Sequence, residues 1–204
     1  CVRWNELVRH LRTGVCIMFA AKNELFTRPS GYTISRSVRL RSSASAYFNR
    51  TPASAGNRKT WTFNAWVKRG AFNSTFQGIF GDGTSNNTDG YDNFFFENDN
   101  TLRYLSSPNN AVNDALLITT QVFRDPSAWA MVTLSVDTTQ ATASNRVKIY
   151  YNGVQITAFS TATYPAQNTD LQINRTIEHK IGKDGRGSNG FYLDGYLTEI
   201  NFID

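Results

Sequence analysis

From Ser127 to Asp204 apolar and polar residues alternate with a period of two, and that rhythm restricts this part of the chain to β-strands. The stretch Trp129-Ala-Met-Val-Thr-Leu-Ser-Val-Asp137 alternates too regularly for a helix, whose apolar residues recur every three or four positions. In Val147-Lys-Ile-Tyr-Tyr151, residues 147, 149 and 151 face one way and residues 148 and 150 the other. Asn152-Gly153 follows directly. Both residues tolerate the positive φ of a tight type I′ turn, so the pair predicts a β-hairpin. The last run, Tyr192 to Ile203, is again an alternating strand, entered by Gly195.

Upstream the same signals recur about every ten residues. Strands are predicted at Ser35–Ser42, Ala46–Asn49, Thr60–Lys68, Gln77–Gly81, Asn93–Asn98, Thr101–Ser106 and Ala115–Phe123. Asp99-Asn100 is the turn of a further hairpin. In the Thr60–Lys68 strand Trp61, Phe63 and Ala65 share one face, and Asn64, Trp66 and Lys68 the other. Aromatic residues on both faces suit a strand in the middle of a sheet. Asp82 to Asn93 reads as a polar loop of twelve residues. Ten to twelve strands with almost no helix predict an all-β fold, a two-sheet antiparallel jelly-roll sandwich. Trp61, Trp66 and Trp129 are expected in its core, with Trp129 packed between the sheets against Val147 or Ile149.

Charge matters here only once it is divided along the chain. Residues 1–40 hold seven basic and two acidic side chains and so carry the whole net charge of +5; the remaining fourteen of each sign cancel. A nucleic-acid surface needs a basic excess on the folded domain itself, so none is expected. No run approaches the roughly 18 apolar residues of a membrane helix. Asn and Thr supply 42 of 204 residues, a turn and strand-surface balance common in extracellular β-proteins. Cys1 and Cys16 lie outside the β-region, and nothing indicates a disulfide between them.

Two divisions are expected: an N-terminal extension, 1–34, and a β-sandwich domain, 35–204. Within the extension, Trp4, Leu7, Val8 and Leu11 stand at helical spacing, so a short amphipathic helix is open to residues 3–12. Residues 1–17 read as lying upstream of the true start, with a helix docking to a larger assembly as the alternative. The alternation is still running when the sequence stops at Asp204, which predicts a chain cut from a longer protein. Ile200 and Phe202 are expected to be buried in a strand near Val38 and Leu40, and residues 1–17 to touch the sandwich little.

The order of these signals resembles the laminin-G-like and concanavalin A-like lectin modules. Those modules have a Trp opening a strand that ends in Asp, an apolar strand closed by an Asn-Gly hairpin, an Ile-Gly strand, and a closing strand of the form F-x-G-x-L-x-E-V. The matching pieces are Trp129–Asp137, Val147–Gly153, Ile181-Gly182 and Phe191–Phe202, with Trp61–Lys68 resembling an early strand of the family. Ser45-Ala-Tyr-Phe-Asn-Arg-Thr-Pro52 and Gly56-Asn-Arg-Lys-Thr-Trp61 look more specifically like such modules in phage structural and tail-fibre proteins. The resemblance implies a virion-surface or extracellular module that engages a glycan or another virion protein.

Three kinds of site are open. Calcium takes six to eight oxygens, and Asp82, Asn86, Asp89 and Asp92 would supply several at the rim where related modules often carry the ion. Their spacing fits no defined calcium loop, and a solvated loop is the plainer reading. A sugar-binding rim needs an aromatic face with amides and charged groups beside it, which Tyr91, Arg186, Ser188 and Asn189 could form. A glucanase would carry E-x-D-x-x-E on one strand; Glu97-Asn98-Asp99 begins this motif, but Leu102 stands where the second Glu belongs. The expectation is therefore a non-catalytic carbohydrate-binding or structural module, with a glycoside hydrolase relative and a ligand-free capsid decoration domain as alternatives. The N-x-[ST] sequons at Asn49, Asn73, Asn86 and Asn174 arise by chance in a chain so rich in Asn and Thr.

Overall fold

Period-two patterning becomes two antiparallel sheets packed face to face. A computed structural model of the chain describes residues 35–72, 75–84, 87–186 and 190–204. The predicted N-terminal helix, both cysteines and the contacts of residues 1–17 lie outside them. Among the described residues there are thirteen strands: β1 (Val38–Leu40), β2 (Phe48–Arg50), β3 (Thr60–Arg69), β4 (Gln77–Gly83), β5 (Tyr91–Phe96), β6 (Thr101–Ser107), β7 (Ala115–Val122), β8 (Ala130–Asp137), β9 (Val147–Tyr151), β10 (Val154–Ile156), β11 (Phe159–Thr163), β12 (His179–Ile181) and β13 (Gly195–Ile203). One sheet runs β1-β13-β3-β8-β9-β10 and the other β11-β7-β6-β5-β4-β12-β2. This is the all-β jelly-roll sandwich expected.

The core is built by alternation. On β3 every second residue from Trp61 is buried, and on β8 the buried set is Ala130, Val132, Leu134 and Val136. Phe63 stacks on Phe80 of the opposite sheet with ring centroids 4.4 Å apart. Trp61 meets Phe80 and Tyr104 edge-on, each at 6.3 Å. Such aromatic pairs add about 0.5–1.5 kcal/mol beyond the area they bury. The hairpin between β9 and β10 turns on Asn152 and Gly153, with φ of 51° and 79°, as the Asn-Gly pair predicts.

Four expectations need correction. Trp129 is not a core residue: it immediately precedes Ala130, so the parity of β8 sends it outward with Met131. There it is half-buried, edge-on to Tyr196 at 6.3 Å. Trp66 is half-buried on the same outer face, and the core tryptophan is Trp61, 3% exposed. The closing strand β13 does pair with β1, Leu197 opposite Val38. A bulge between Thr198 and Asn201, with Glu199 at φ 48°, shifts its register and leaves Ile200 half-buried and Phe202 37% exposed. The expected loop from Asp82 to Asn93 is in fact two strand ends joined by a short connection, since Asp82 closes into β4 and Tyr91 to Asn93 into β5. Finally, β11 falls where no strand is predicted, held by pairing with β7 rather than by its own pattern.

Candidate functional site

Tyr91 and Arg186, placed together on the expected rim, do meet. The Arg186 guanidinium lies 5.0 Å over the Tyr91 ring, and Arg186 Nη2 pairs with Asp184 Oδ2 at 3.1 Å. Tyr91 is buried, however, and its hydroxyl donates to Asn110 Oδ1 at 2.9 Å. The ring face a sugar would need is covered by the cation. Ser188 and Asn189 lie outside the described residues. The segment carrying Arg186 packs backbone to backbone on β4, where Gly78 N–H donates to Phe191 O, and Gly185 N–H donates to the Asn93 side chain of β5. A Cβ at Gly78 or Gly185 would overlap the facing backbone, so glycine makes this approach possible. Lys180, 1% exposed, ties the layers together by donating to Gly83 O and Gly185 O, each at 2.7 Å.

Asp82 and Asp92 are the most unusual pair in the molecule. They stand opposite each other on β4 and β5, and both are sealed, at 0% and 1% exposure. Extending the register gives one rung across four strands: His179, Asp82, Asp92 and Ser106. Asp82 Oδ1 accepts from Asp92 N–H at 2.7 Å, and Asp82 Oδ2 accepts from Arg175 Nη2 at 3.2 Å. Asp92 Oδ2 accepts from the Tyr104 hydroxyl at 3.0 Å and from Ile173 N–H at 3.3 Å. Asp92 Oδ1 and Ser106 Oγ make no hydrogen bond of ordinary geometry. Burial pushes the Asp92 carboxyl up to about 7, and the charge of Asp82 adds to the rise. Burial pushes Asp82 up as well, opposed by Arg175 and His179.

That rung bears on the calcium expectation. Asn86 lies outside the described residues, and Asp89 Oδ2 accepts from Thr84 Oγ at 2.7 Å. The Asp82 carboxylate faces a guanidinium rather than open space. Among the described residues no cluster of three or more His, Cys, Asp or Glu side chains could hold a metal ion. The partial glucanase motif is a hairpin: Glu97 Oε1 accepts from Arg103 Nη1 at 2.7 Å, Asp99 caps the turn through Thr101, and Leu102 points into the core.

The outer end of the rung opens on a cleft of about 300 Å³ between the two sheets. Strand β2 supplies Phe48, Asn49 and Arg50, β12 supplies His179 and Ile181, and Phe80, Asn174 and Phe202 complete it. Phe48 is 46% exposed, far more than a ring packed for stability. His179 is fixed by both ring nitrogens: Nε2 accepts from Asn174 N–H, so Nδ1 donates to Ile177 O, each at 2.9 Å. The Asn174 side chain donates to Asn57 O and Asp204 Oδ2, and its burial removes that sequon as a modification site. An apolar cleft with a few convergent polar groups is the usual form of a small-ligand site. Sequence patterning does not reveal it, because Phe48, His179 and Phe202 are brought together only by pairings more than a hundred residues apart.

A family profile described as the concanavalin A-like lectin/glucanases superfamily, of the laminin-G type, matches residues 41–204. The chain belongs to this superfamily. Among solved structures, mouse laminin α1 domains LG4-5 align with TM-score 0.58 and 10% identity, over 86% of this chain and 44% of that one. The CBM40 module of the Ruminococcus gnavus IT-sialidase, bound to α2,6-sialyllactose, aligns with TM-score 0.53 and 14% identity, over 82% of this chain and 88% of that one. A heptameric SAP-like pentraxin from Limulus polyphemus gives 0.50 and 16%, over 76% and 68%. At these identities the likeness establishes the shared fold. No curated protein matches the chain.

Proposed function

We propose that this superfamily member is a non-catalytic carbohydrate-binding module whose ligand occupies the cleft beside Phe48. The observation that carries this reading is the pairing of two exposed rings, Phe48 and Phe202, with Arg50 beside them around one cleft. Sugars present apolar C–H faces that stack on aromatic rings, and hydroxyls that a guanidinium such as that of Arg50 binds. The sialyllactose complex of the Ruminococcus gnavus module supports the glycan reading by analogy of fold. Hydrolysis would need two carboxyl groups flanking the scissile bond. The facing pair here, Asp82 and Asp92, is closed to substrate, which favours binding without turnover. The early-strand resemblance to phage tail-fibre modules supports placing the domain on a virion surface, where a host glycan or a neighbouring virion protein is its partner.

The test is a glycan array followed by titration of the best ligand against the chain and its Phe48→Ala variant. A ligand whose affinity drops at least tenfold in the variant supports the reading. Equal affinity in both, release of reducing sugar during incubation, or no bound glycan at all would overturn it.

A further inference from the structure

We propose a second binding site, for a neutral glycan, in the recess where the chain crosses from one sheet to the other between β10 and β11. The recess has a volume of about 460 Å³, within the range of small-ligand sites. Strands β10 and β11 end the two sheets on this side, whereas β2, β12 and β13 build the Phe48 cleft near the other ends. The two openings therefore lie at opposite edges of the sandwich, and the argument for one does not rest on the other.

The floor of the recess is apolar. Val154 and Ile156 stand opposite Tyr151 and Ile149 in the β9–β10 hairpin, so they share the inward parity of the buried Ile149. Ile156 is buried, and Val154, one step nearer the turn, is 71% exposed. The Tyr151 ring rests against Phe123, with centroids 4.5 Å apart, and forms a wall. Groups that donate and accept stand around this floor. Hydrogen-bonded and non-bonded pairs alternate along an antiparallel ladder, which turns the N–H and C=O of Gln155, opposite Tyr150, toward the open edge. Gln121, exposed at the end of β7, and Thr157, in the crossing, add an amide and a hydroxyl. Asn152 spends its Oδ1 on Met131 N–H at 2.8 Å, so its NH2 group remains as a donor.

No charged side chain lines the recess. Arg69 and Asp125, whose opposite charges both reach Tyr151, line a separate hollow of about 10 Å³. Uncharged donors and acceptors above an apolar floor match a ligand whose hydroxyls each donate and accept and whose C–H face is apolar, which is a neutral sugar. A carboxylate or phosphate would find donors there but no cation to offset its desolvation. An open sheet edge also invites another strand. Strand β10 has only three residues and offers one outward N–H and C=O pair, where strand addition uses several.

The experiment is titration of the isotope-labelled whole chain with neutral gluco-, manno- and galacto-oligosaccharides and with hexagalacturonate, followed by backbone amide shifts, together with light scattering. At least one neutral oligosaccharide should give saturable shifts at Gln121, Val154, Gln155 and Thr157. Val154→Asp and Gln121→Leu, each melting within a few degrees of wild type, should weaken that binding at least fivefold, and Phe48→Ala should leave it unchanged. Shifts confined to Phe48, Arg50 and Phe202 would overturn this proposal and leave the cleft reading standing. No shift with any neutral probe, tighter binding of hexagalacturonate at these residues, insensitivity to both substitutions, or a dimer that Val154→Asp dissociates would overturn it as well.

Discussion

Water is kept from Asp92 on every side, so its carboxyl holds a proton that a surface aspartate releases near pH 4. Its folded value of about 7 lies above the unfolded 3.8, so the native state binds the proton more tightly. The stabilisation this gives is present in full below pH 4 and is lost as the pH rises through 7. Asp99 and Asp137 act in the opposite sense, because hydrogen bonds from Thr101 and Thr139 hold them below the usual carboxylate range, but Asp99 is exposed and Asp137 only half-buried. Asp92→Asn isolates the buried group. Urea melts across pH 4 to 8 should show the variant gaining on wild type by on the order of 3 kcal/mol toward the alkaline end; a difference that does not change with pH would contradict this. The tryptophans divide as their parity dictates. Trp61→Ala should cost about 3–5 kcal/mol, and Trp129→Ala about 1 kcal/mol as a half-exposed residue. Equal losses would mean that Trp129 is a core residue after all. Alternation along β8 was legible in sequence; which of its two faces meets the core was not, because a Trp at a strand start carries the same pattern on either side.

At the scale of elements, glycine tests how closely the layers approach. Gly153 has nothing within 4 Å of where a Cβ would stand, and only its φ of 79° resists substitution. Gly153→Ala should therefore cost about 1 kcal/mol. At Gly78 a Cβ would run into the backbone of Lys183 and Asp184, and the segment that lies on β4 must lift. Gly78→Ala should cost over 2 kcal/mol and speed amide exchange at Gly185 and Asp184, read by hydrogen exchange; equal costs at the two glycines would contradict this packing. The β9–β10 hairpin was legible because Asn152 and Gly153 set their own turn. Strand β12 was not. It has three residues and exists because Lys180 pairs with Asn49 on one side and Gly81 on the other. Asp82 and Asp92 read as loop by composition, since Asp and Gly favour turns wherever nothing else decides. Here the segment from Leu171 to Arg175 decides, by sealing them and donating to both carboxylates.

Over the whole molecule, the order of strand signals was enough to identify a sandwich, because each signal is local and their sequence is fixed by topology. The cleft was beyond that reach. It forms where short β2, the two end residues of β12 and the bulged end of β13 converge, and each contribution depends on a distant partner. The bulge at Glu199 is part of the site: by shifting the register of β13 it leaves the Phe202 ring partly open beside Phe80 and Trp61, at 5.6 and 5.9 Å. The fold thereby offers a cleft at the edge where its two sheets meet. Glycan binding in the cleft is tested by backbone amide chemical-shift mapping as the array-selected glycan is titrated into the labelled chain. The expected result is a set of saturable shifts at Phe48, Asn49, Arg50, Ile181 and Phe202, with Tyr91 and Arg186 unmoved; shifts centred on Tyr91 and Arg186 instead would contradict it.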